Sequence, residues 1–397
     1  MKIIRWFLKG VGLLVAGLLT VVAGLIVAMW IADPTVPRNI FFGQPVTAPA
    51  AIERSQPQER VPGAPRDDLP VGPSTLDPVI FAQAEQLASE TDSVALLVWH
   101  RGALRYEKYW PGFDAATRTN PNSMHKSVLG LLVGAAIADG FIESVDVPAS
   151  RWLTEWQGDA RKDITIRDLL TMSSGLEVPI FSTWKSARIL FGADLPRGVL
   201  DLPAEHPHAS EYQYSNANSQ LLAIILERAT GRRYADYLSQ RLWQPLGAAD
   251  AAVWLDREGG VPRSFCCLFA SARDWLRVGR LILDRGRVGD SQLVPAEWIA
   301  AMTTPSRLNP NFGFQIWLGS PSGTERKYND YSIKAFHSGP FLAKDMVFID
   351  GFGGQRVYIV PSEELIIVRT GVSQTDWDDA RLANIVLRAL RVSGEQP

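Results

Sequence analysis

Between Gly10 and Ala32 the sequence runs for 23 residues without a charge. As a helix such a run spans a hydrocarbon core of about 30 Å. Lys2, Arg5 and Lys9 precede it and Asp33 follows it. By the positive-inside rule, residues 1–9 are then cytoplasmic and everything after Ala32 lies outside. A cleaved secretory signal is the alternative. Its apolar core usually holds about 7–15 residues, and no small-x-small cleavage site closes this run. The anchor is the preferred reading. Both place the rest of the chain outside the cytoplasm, in the periplasm if the source is Gram-negative. Gly24 and Ala28 form a small-xxx-small pair, a pattern that chance produces often.

The chain then divides by composition. Residues 33–77 carry Pro34, Pro37, Pro45, Pro49, Pro57, Pro62, Pro65, Pro70 and Pro73 among few large apolar side chains. They read as an extended stalk with polyproline character. Residues 78–397 read as one folded domain. Hydrophobic residues make up 46 % of the whole chain and charged residues 21 %, enough for a core of ordinary kind. Net charge is −2, with no basic stripe or acidic tail to suggest nucleic acid or a charged partner. Cys266 and Cys267 are adjacent and cannot close a loop. They are expected to be two small buried side chains rather than a vicinal disulfide.

Periodicity predicts an α+β domain. Phe81–Glu90 reads as an amphipathic helix. Ser93–His100 and Ala103–Trp110 read as a hairpin about Arg101-Gly102. Ser123 to about Leu246 is mainly helical, and further helices are expected over Ala270–Asp284 and Pro295–Met302. Strands return at Phe312–Leu318, Met346–Ile349, Arg356–Val360 and Leu365–Arg369, and Asp376–Leu390 closes as a helix. First and last strands would pair in one antiparallel sheet flanked by helices, with the helical middle as a second lobe. The cleft between them is where a site is expected.

Two constellations carry chemistry. Ser123 and Lys126 stand one turn apart ahead of Val128–Ile137, where every residue is apolar or glycine. A helix apolar all round is buried, and a lysine at its mouth loses solvation and basicity. A partly neutral lysine can take the proton of a neighbouring serine, and the helix N-terminus favours a developing oxyanion. The plain alternative is Ser123 as an N-cap and Lys126 as a solvated charge. His125, between them, is expected to be a packed neighbour. The second constellation is Tyr214-Ser215-Asn216 before the apolar run that follows Ser219. Tyr214 is a candidate proton carrier, with Tyr212 as the fallback. Asn216 is a candidate to hold the lysine or a substrate amide. The plain alternative is a core tyrosine and an N-cap asparagine.

Together these residues resemble the serine β-lactamase and penicillin-binding-protein superfamily, in its branch of class C β-lactamase-related esterases and 6-aminohexanoate-dimer hydrolases. The likeness extends through Ile164-Thr165-Ile166-Arg167-Asp168-Leu169-Leu170-Thr171-Met172-Ser173-Ser174-Gly175-Leu176, Pro245-Leu246-Gly247, Ala270-Ser271-Ala272-Arg273-Asp274-Trp275, Gly351-Phe352-Gly353-Gly354-Gln355 and Tyr358-Ile359-Val360-Pro361. It covers roughly Pro78 to Leu390. It implies a β-lactamase/transpeptidase-like fold. It also implies Ser123 as acylated nucleophile, Lys126 as its base, Tyr214 as second proton carrier, and no cofactor or metal. The family's third motif, usually Lys-Thr-Gly or His-Thr-Gly, is absent. Gly351-Phe352-Gly353-Gly354 best fits its place, with the N–H groups of Ser123 and Phe352 as oxyanion donors and Gly353 allowing close approach. His337-Ser338-Gly339 ranks second. Without the third-motif lysine that helps to hold a substrate carboxylate, small-molecule esters, or amides lacking that group, are expected ahead of β-lactams and peptides. A non-catalytic binding module of the same fold and a true β-lactamase or peptidase are the alternatives.

Other signals carry little. Gly289-Asp290-Ser291 reads as a surface turn, and no Gly-x-Ser-x-Gly elbow exists. His206-Pro207-His208 lacks the partners of a metal site. Trp110, Trp184, Phe191 and Trp317 are candidates to line a pocket, although aromatics at such places are more often core.

Overall fold

Three runs, Ser93–His100, Gln355–Val360 and Leu365–Gly371, are buried at every position. Strands of that kind need a sheet covered on both faces. In the computed structural model, which describes residues 2–43, 47–319, 325–326, 328–332, 335–336 and 338–394, they form the centre of a six-stranded antiparallel sheet. Its order is Ala103–Tyr109, Ser93–His100, Leu365–Gly371, Gln355–Val360, Val347–Gly351 and Trp317–Leu318. The expected pairing of first and last strands is present, with Leu365 opposite His100 and Arg369 opposite Leu96. Side chains alternate between two cores. Leu97, Trp99, Val357, Ile359, Ile366 and Val368 face the helical lobe. Leu96, Val98, Tyr358, Val360, Leu365 and Ile367 face the other way, onto the packed helices Pro78–Glu90 and Arg381–Gly394.

The helix His125–Ala138 is buried from His125 through Ala136 and packs against Asn216–Thr230. Gly134 makes room for a large neighbour. A Cβ there would lie 2.3 Å from the Trp298 ring, whose Nε1 donates to the Gly130 carbonyl at 3.1 Å. Buried Gln315 ties the lobe together. Its carbonyl accepts from Ser127 Oγ at 2.7 Å, its Oε1 accepts from Ser219 Oγ at 2.7 Å, and its amide donates to the Leu169 and Leu170 carbonyls.

Several expectations need correction. A second, four-stranded sheet joins Gln58–Val61, Ala251–Trp254, Leu268–Ser271 and Arg118–Thr119. Its strands have two to four residues, too few to show periodicity. The helix expected from Ala270 starts at Ala272, because Ser271 and Asp274 form a capping box. The expected strand Phe312–Leu318 shortens to Trp317–Leu318. The last helix begins at Arg381 rather than Asp376.

The described part of residues 33–77 is docked on the domain instead of extended as a stalk. Thr35–Phe42 is a helix packed on Trp184–Phe191. Gln58–Val61 pairs antiparallel with Ala251–Trp254, and Leu104 exchanges backbone hydrogen bonds with Pro70 and Gly72. Val36, Ile52, Val61, Leu69 and Leu76 are buried. The apolar residues are sparse, but each finds a place. The helix Lys2–Ala32 contains the apolar run, and its membrane-length window is unburied.

Beneath the sheet edge lies a buried cluster of four charges. Arg326 Nη2 stands 3.1 Å from Asp350 and 2.8 Å from Asp379. Arg356 stands 2.6 Å from Asp350 and 2.5 Å from Asp379. Removing one member leaves an uncompensated buried charge. Asp379→Ala is expected to lose about 3–5 kcal/mol of stability, whereas Arg60→Ala, breaking the exposed pair with Asp250, loses at most about 1 kcal/mol. Urea unfolding of both variants checks this; equal losses would contradict it.

Candidate active site

The chain reaches Ser123 through Asn120-Pro121-Asn122. The Asn122 N–H donates to Asn120 Oδ1 at 3.0 Å, and Asn122 adopts φ +51°, a left-handed conformation that asparagine tolerates. Asn122–Met124 is a tight turn that feeds straight into His125–Ala138. Ser123 does not cap that helix, whose N-terminus has no side-chain cap. Its hydroxyl instead meets Lys126.

Lys126 is buried and has three partners. Its Nζ lies 2.9 Å from Ser123 Oγ, 2.8 Å from Asn216 Oδ1 and 2.7 Å from the Phe265 carbonyl. The last two can only accept. A neutral amine has two N–H bonds for them and one lone pair left for the Ser123 hydroxyl. Burial lowers the Lys126 pKa from 10.5 to about 7, with Asp350 opposing the shift. The ammonium of the charged form would also sit 5.0 Å from the centre of the Tyr214 ring.

Asn216 is free for this contact because Ser215 caps its helix, accepting from the Ala217 N–H at 3.2 Å. The Tyr214 ring lies beside the Lys126 amine and stacks on Trp317 at 5.8 Å. Its backbone is held from both sides. The Tyr214 N–H donates to the Tyr328 carbonyl at 3.0 Å, and Asn329 Nδ2 donates to the Tyr214 carbonyl at 2.8 Å. Burial pushes the Tyr214 phenol well above 10, and the Asp350 carboxylate adds to the shift. Tyr212 packs against Phe312 and Trp317. The Ile164–Leu176 motif supports this region: the Met172 carbonyl accepts from the Gln213 N–H at 2.8 Å, and Ser174 Oγ donates to Asn218 Oδ1 at 2.7 Å.

Phe352 and Gly353 lie in the hairpin turn between Val347–Gly351 and Gln355–Val360. Asn122 Nδ2 donates to the Phe352 carbonyl at 2.9 Å, joining that turn to the one bearing Ser123. Gly353 has φ +76°. The structure thus brings Ser123, Lys126 and Asn216 into direct contact, with the Tyr214 ring beside the amine and Phe352 and Gly353 alongside. Of the alternative third motif, His337 lies outside the described residues. Among the aromatics considered for a pocket, Trp317 adjoins Tyr214. Phe191 packs with Ile52 and Trp254, Trp110 packs against the far-face core, and Trp184 is exposed.

Sequence reasoning missed the Asn122 latch, the Phe265 carbonyl and Asp350. Only Asn122, beside Ser123, carried a signal: an asparagine between proline and serine in a forced turn. Cys266 and Cys267 need correction too, since they form a vicinal disulfide at a turn where Cys267 takes φ +71°. The loop that contains it is latched from below. His125 Nδ1 bonds the Cys266 carbonyl, and His125 Nε2 lies 2.8 Å from Tyr234 Oη. Burial, aided by Lys126, lowers the His125 pKa to about 4, so this histidine is neutral.

A family model described as Beta-lactamase matches residues 81–390. A 6-aminohexanoate-dimer hydrolase of Paenarthrobacter ureafaciens is 30 % identical over 239 residues, 55 % of this chain and 59 % of the relative. Esterase EstB of Burkholderia gladioli is 31 % identical over 144 residues, 32 % of this chain and 36 % of the relative. Both matches span less than two thirds of the relative's length. Among solved structures, a Bacillus anthracis protein described as a candidate 6-aminohexanoate-dimer hydrolase superposes with a TM-score of 0.73. That match has 18 % identity over 89 % of this chain and 95 % of that one, a likeness of fold.

Gly351 is where sheet and Ser123 turn meet. A Cβ there would stand 2.1 Å from the Pro121 carbonyl oxygen and 3.1 Å from Met124 Cγ. Gly351→Ala must push the two turns apart, and a displacement of about 1 Å costs on the order of 100-fold in rate. Hydrolysis of an activated ester by this variant is expected to fall by that factor; unchanged kinetics would show that the contact does not matter.

Proposed function

The chain belongs to the beta-lactamase family, and we propose that it is a membrane-anchored serine hydrolase that cleaves an ester or amide through an acyl-enzyme on Ser123. The observation that carries this is the buried Lys126 amine 2.9 Å from Ser123 Oγ, with its pKa lowered to about 7. The neutral amine takes the Ser123 proton as Oγ attacks the carbonyl carbon. The N–H groups of Ser123 and Phe352 hold the oxyanion. Tyr214, kept protonated by burial and by Asp350, gives its proton to the departing alkoxide or amine and regains one from the Lys126 ammonium, which holds the proton taken from Ser123. Water then attacks the acyl-enzyme, losing its proton to the same groups, and frees the acid and Ser123.

The substrate class follows from what surrounds the hairpin. Gly351-Phe352-Gly353-Gly354-Gln355 carries no lysine, and Arg356 beside it is engaged by Asp350 and Asp379. An uncharged acyl group suits this better than a β-lactam with its carboxylate. The names of two relatives, an esterase and a 6-aminohexanoate-dimer hydrolase, support cleavage of an ester or an amide. The charge-free span Gly10–Ala32 behind Lys2, Arg5 and Lys9 supports a cytoplasmic N-terminus and an extracytoplasmic catalytic domain.

Two outcomes are expected. A fluorophosphonate probe adds one mass increment to the wild-type chain and none to Ser123→Ala, whose ester hydrolysis falls by about 1,000-fold or more. An adduct that survives the substitution would move the nucleophile elsewhere. No adduct on folded wild type would favour a non-catalytic module, and rapid nitrocefin turnover a true β-lactamase. In addition, because only the neutral amine accepts a proton, kcat/KM rises with pH through about 7 and levels above it. A profile flat from pH 5 to 9 would contradict Lys126 as the base.

A further inference from the structure

The exit of the apolar helix is fixed on the domain. Asp33 Oδ2 accepts from the Ala193 N–H at 3.0 Å, and Asp33 Oδ1 accepts from the Thr35 N–H at 3.0 Å. The next helix, Thr35–Phe42, is therefore set just beyond the span. It buries Val36, Pro37 and Asn39, and Asn39 Nδ2 donates to the Phe191 carbonyl at 2.8 Å. Apart from Arg38, its exposed residues are apolar where a water-facing helix would be polar: Ile40 is 44 % exposed, Phe41 55 % and Phe42 70 %. Just before the helix on which it packs, Ile180 and Phe181 are also exposed, Phe181 at 77 %.

Tryptophans mark the ends of the span. Trp6 and Trp30 stand about 36 Å apart along a straight helix, close to the separation of the two interfaces of a bilayer. With Trp30 at one interface, the exposed apolar residues of Thr35–Phe42 begin within about 15 Å of chain. Arg38, exposed on the same short helix, donates one bond to the Gln56 carbonyl and has further N–H groups to offer phosphate headgroups.

We propose that Thr35–Phe42, together with the exposed Ile180 and Phe181 of the segment that leads into its packing partner, is an interfacial docking surface whose partner is the membrane that holds the anchor. Ile40, Phe41 and Phe42 enter the boundary of headgroups and acyl chains, as the apolar face of an interfacial helix does. The catalytic domain then lies against the bilayer, not lifted from it. This goes beyond the proposed hydrolase reaction and rests on the reading of Gly10–Ala32 as a span.

The test uses the full chain in proteoliposomes, with a nitroxide on a single introduced cysteine, in Leu19→Cys, Phe42→Cys, Phe181→Cys or Asp290→Cys. All four positions are exposed, so the labels do not disturb the core. Power saturation compares accessibility to oxygen and to a water-soluble nickel chelate. The ratio at 42 and 181 is expected to shift from the aqueous value at 290 toward the lipid value at 19. A lipid value at 19 with aqueous values at 42 and 181 overturns the docking surface while leaving the anchor. Protection from both agents at 42 and 181 overturns it in favour of a protein partner such as a second copy. An aqueous value at 19 removes the span itself and the proposal with it. None of these readouts depends on catalysis.

Discussion

The structure turns on one uncomfortable group, the amine of Lys126. Its three partners come from separate parts of the chain: Ser123 from the turn before the central helix, Asn216 from the start of the companion helix, and Phe265 from a loop after Trp254. The first contact is local, one helical turn, but the other two exist only once the two helices and the loop of the small sheet have come together. The amine disfavours the fold in return. Its folded pKa of about 7 lies below the ordinary 10.5, so between those values the unfolded chain binds more protons. This group's contribution to stability therefore rises with pH across that window, and at pH 7 and below most of the desolvation penalty is in force. A site that gives up stability for reactivity is a common trade.

Burial acts in opposite directions on the two titratable groups that flank Ser123. It lowers Lys126 and raises Tyr214. Asp350, drawn into the charge cluster by Arg326 and Arg356, pulls both upward. It keeps the lysine from becoming too weak a base and the phenol from ionising. Groups pushed apart in this way can divide the work of base and acid in one reaction. The cluster that anchors the sheet edge structurally is thus also a source of field at the site.

Much of this was legible in the sequence because the strongest signals were local. Ser93–His100 and Leu365–Gly371 are apolar enough to declare a covered sheet. Val128–Ile137 declares a buried helix, which in turn makes Ser123 and Lys126 suspicious as a mere cap and a mere surface charge. Tyr214 and Asn216 needed the family resemblance to stand out from a core tyrosine and a helix cap. What stayed hidden depends on tertiary partners. The Phe265 carbonyl is backbone, and no side-chain pattern announces it. Asp350 looks like an ordinary strand residue until the buried Arg326 and Arg356 are placed around it. Residues 33–77 look like a stalk because prolines dominate, yet Val36, Ile52, Val61, Leu69 and Leu76 suffice to dock them. Whether Cys266 and Cys267 join depended on the backbone turn between them, which composition does not encode.

The most direct test of the central claim is the protonation of Lys126 itself. In the full-length chain carrying lysine labelled at Cε and Nζ, an NMR titration follows each lysine, and Lys126→Met identifies the signal by its loss. The account predicts that the Lys126 signal titrates near pH 7, well below the ordinary lysine value of 10.5. A Lys126 signal that remains charged up to pH 10 would contradict it, and Ser123 would then need another base.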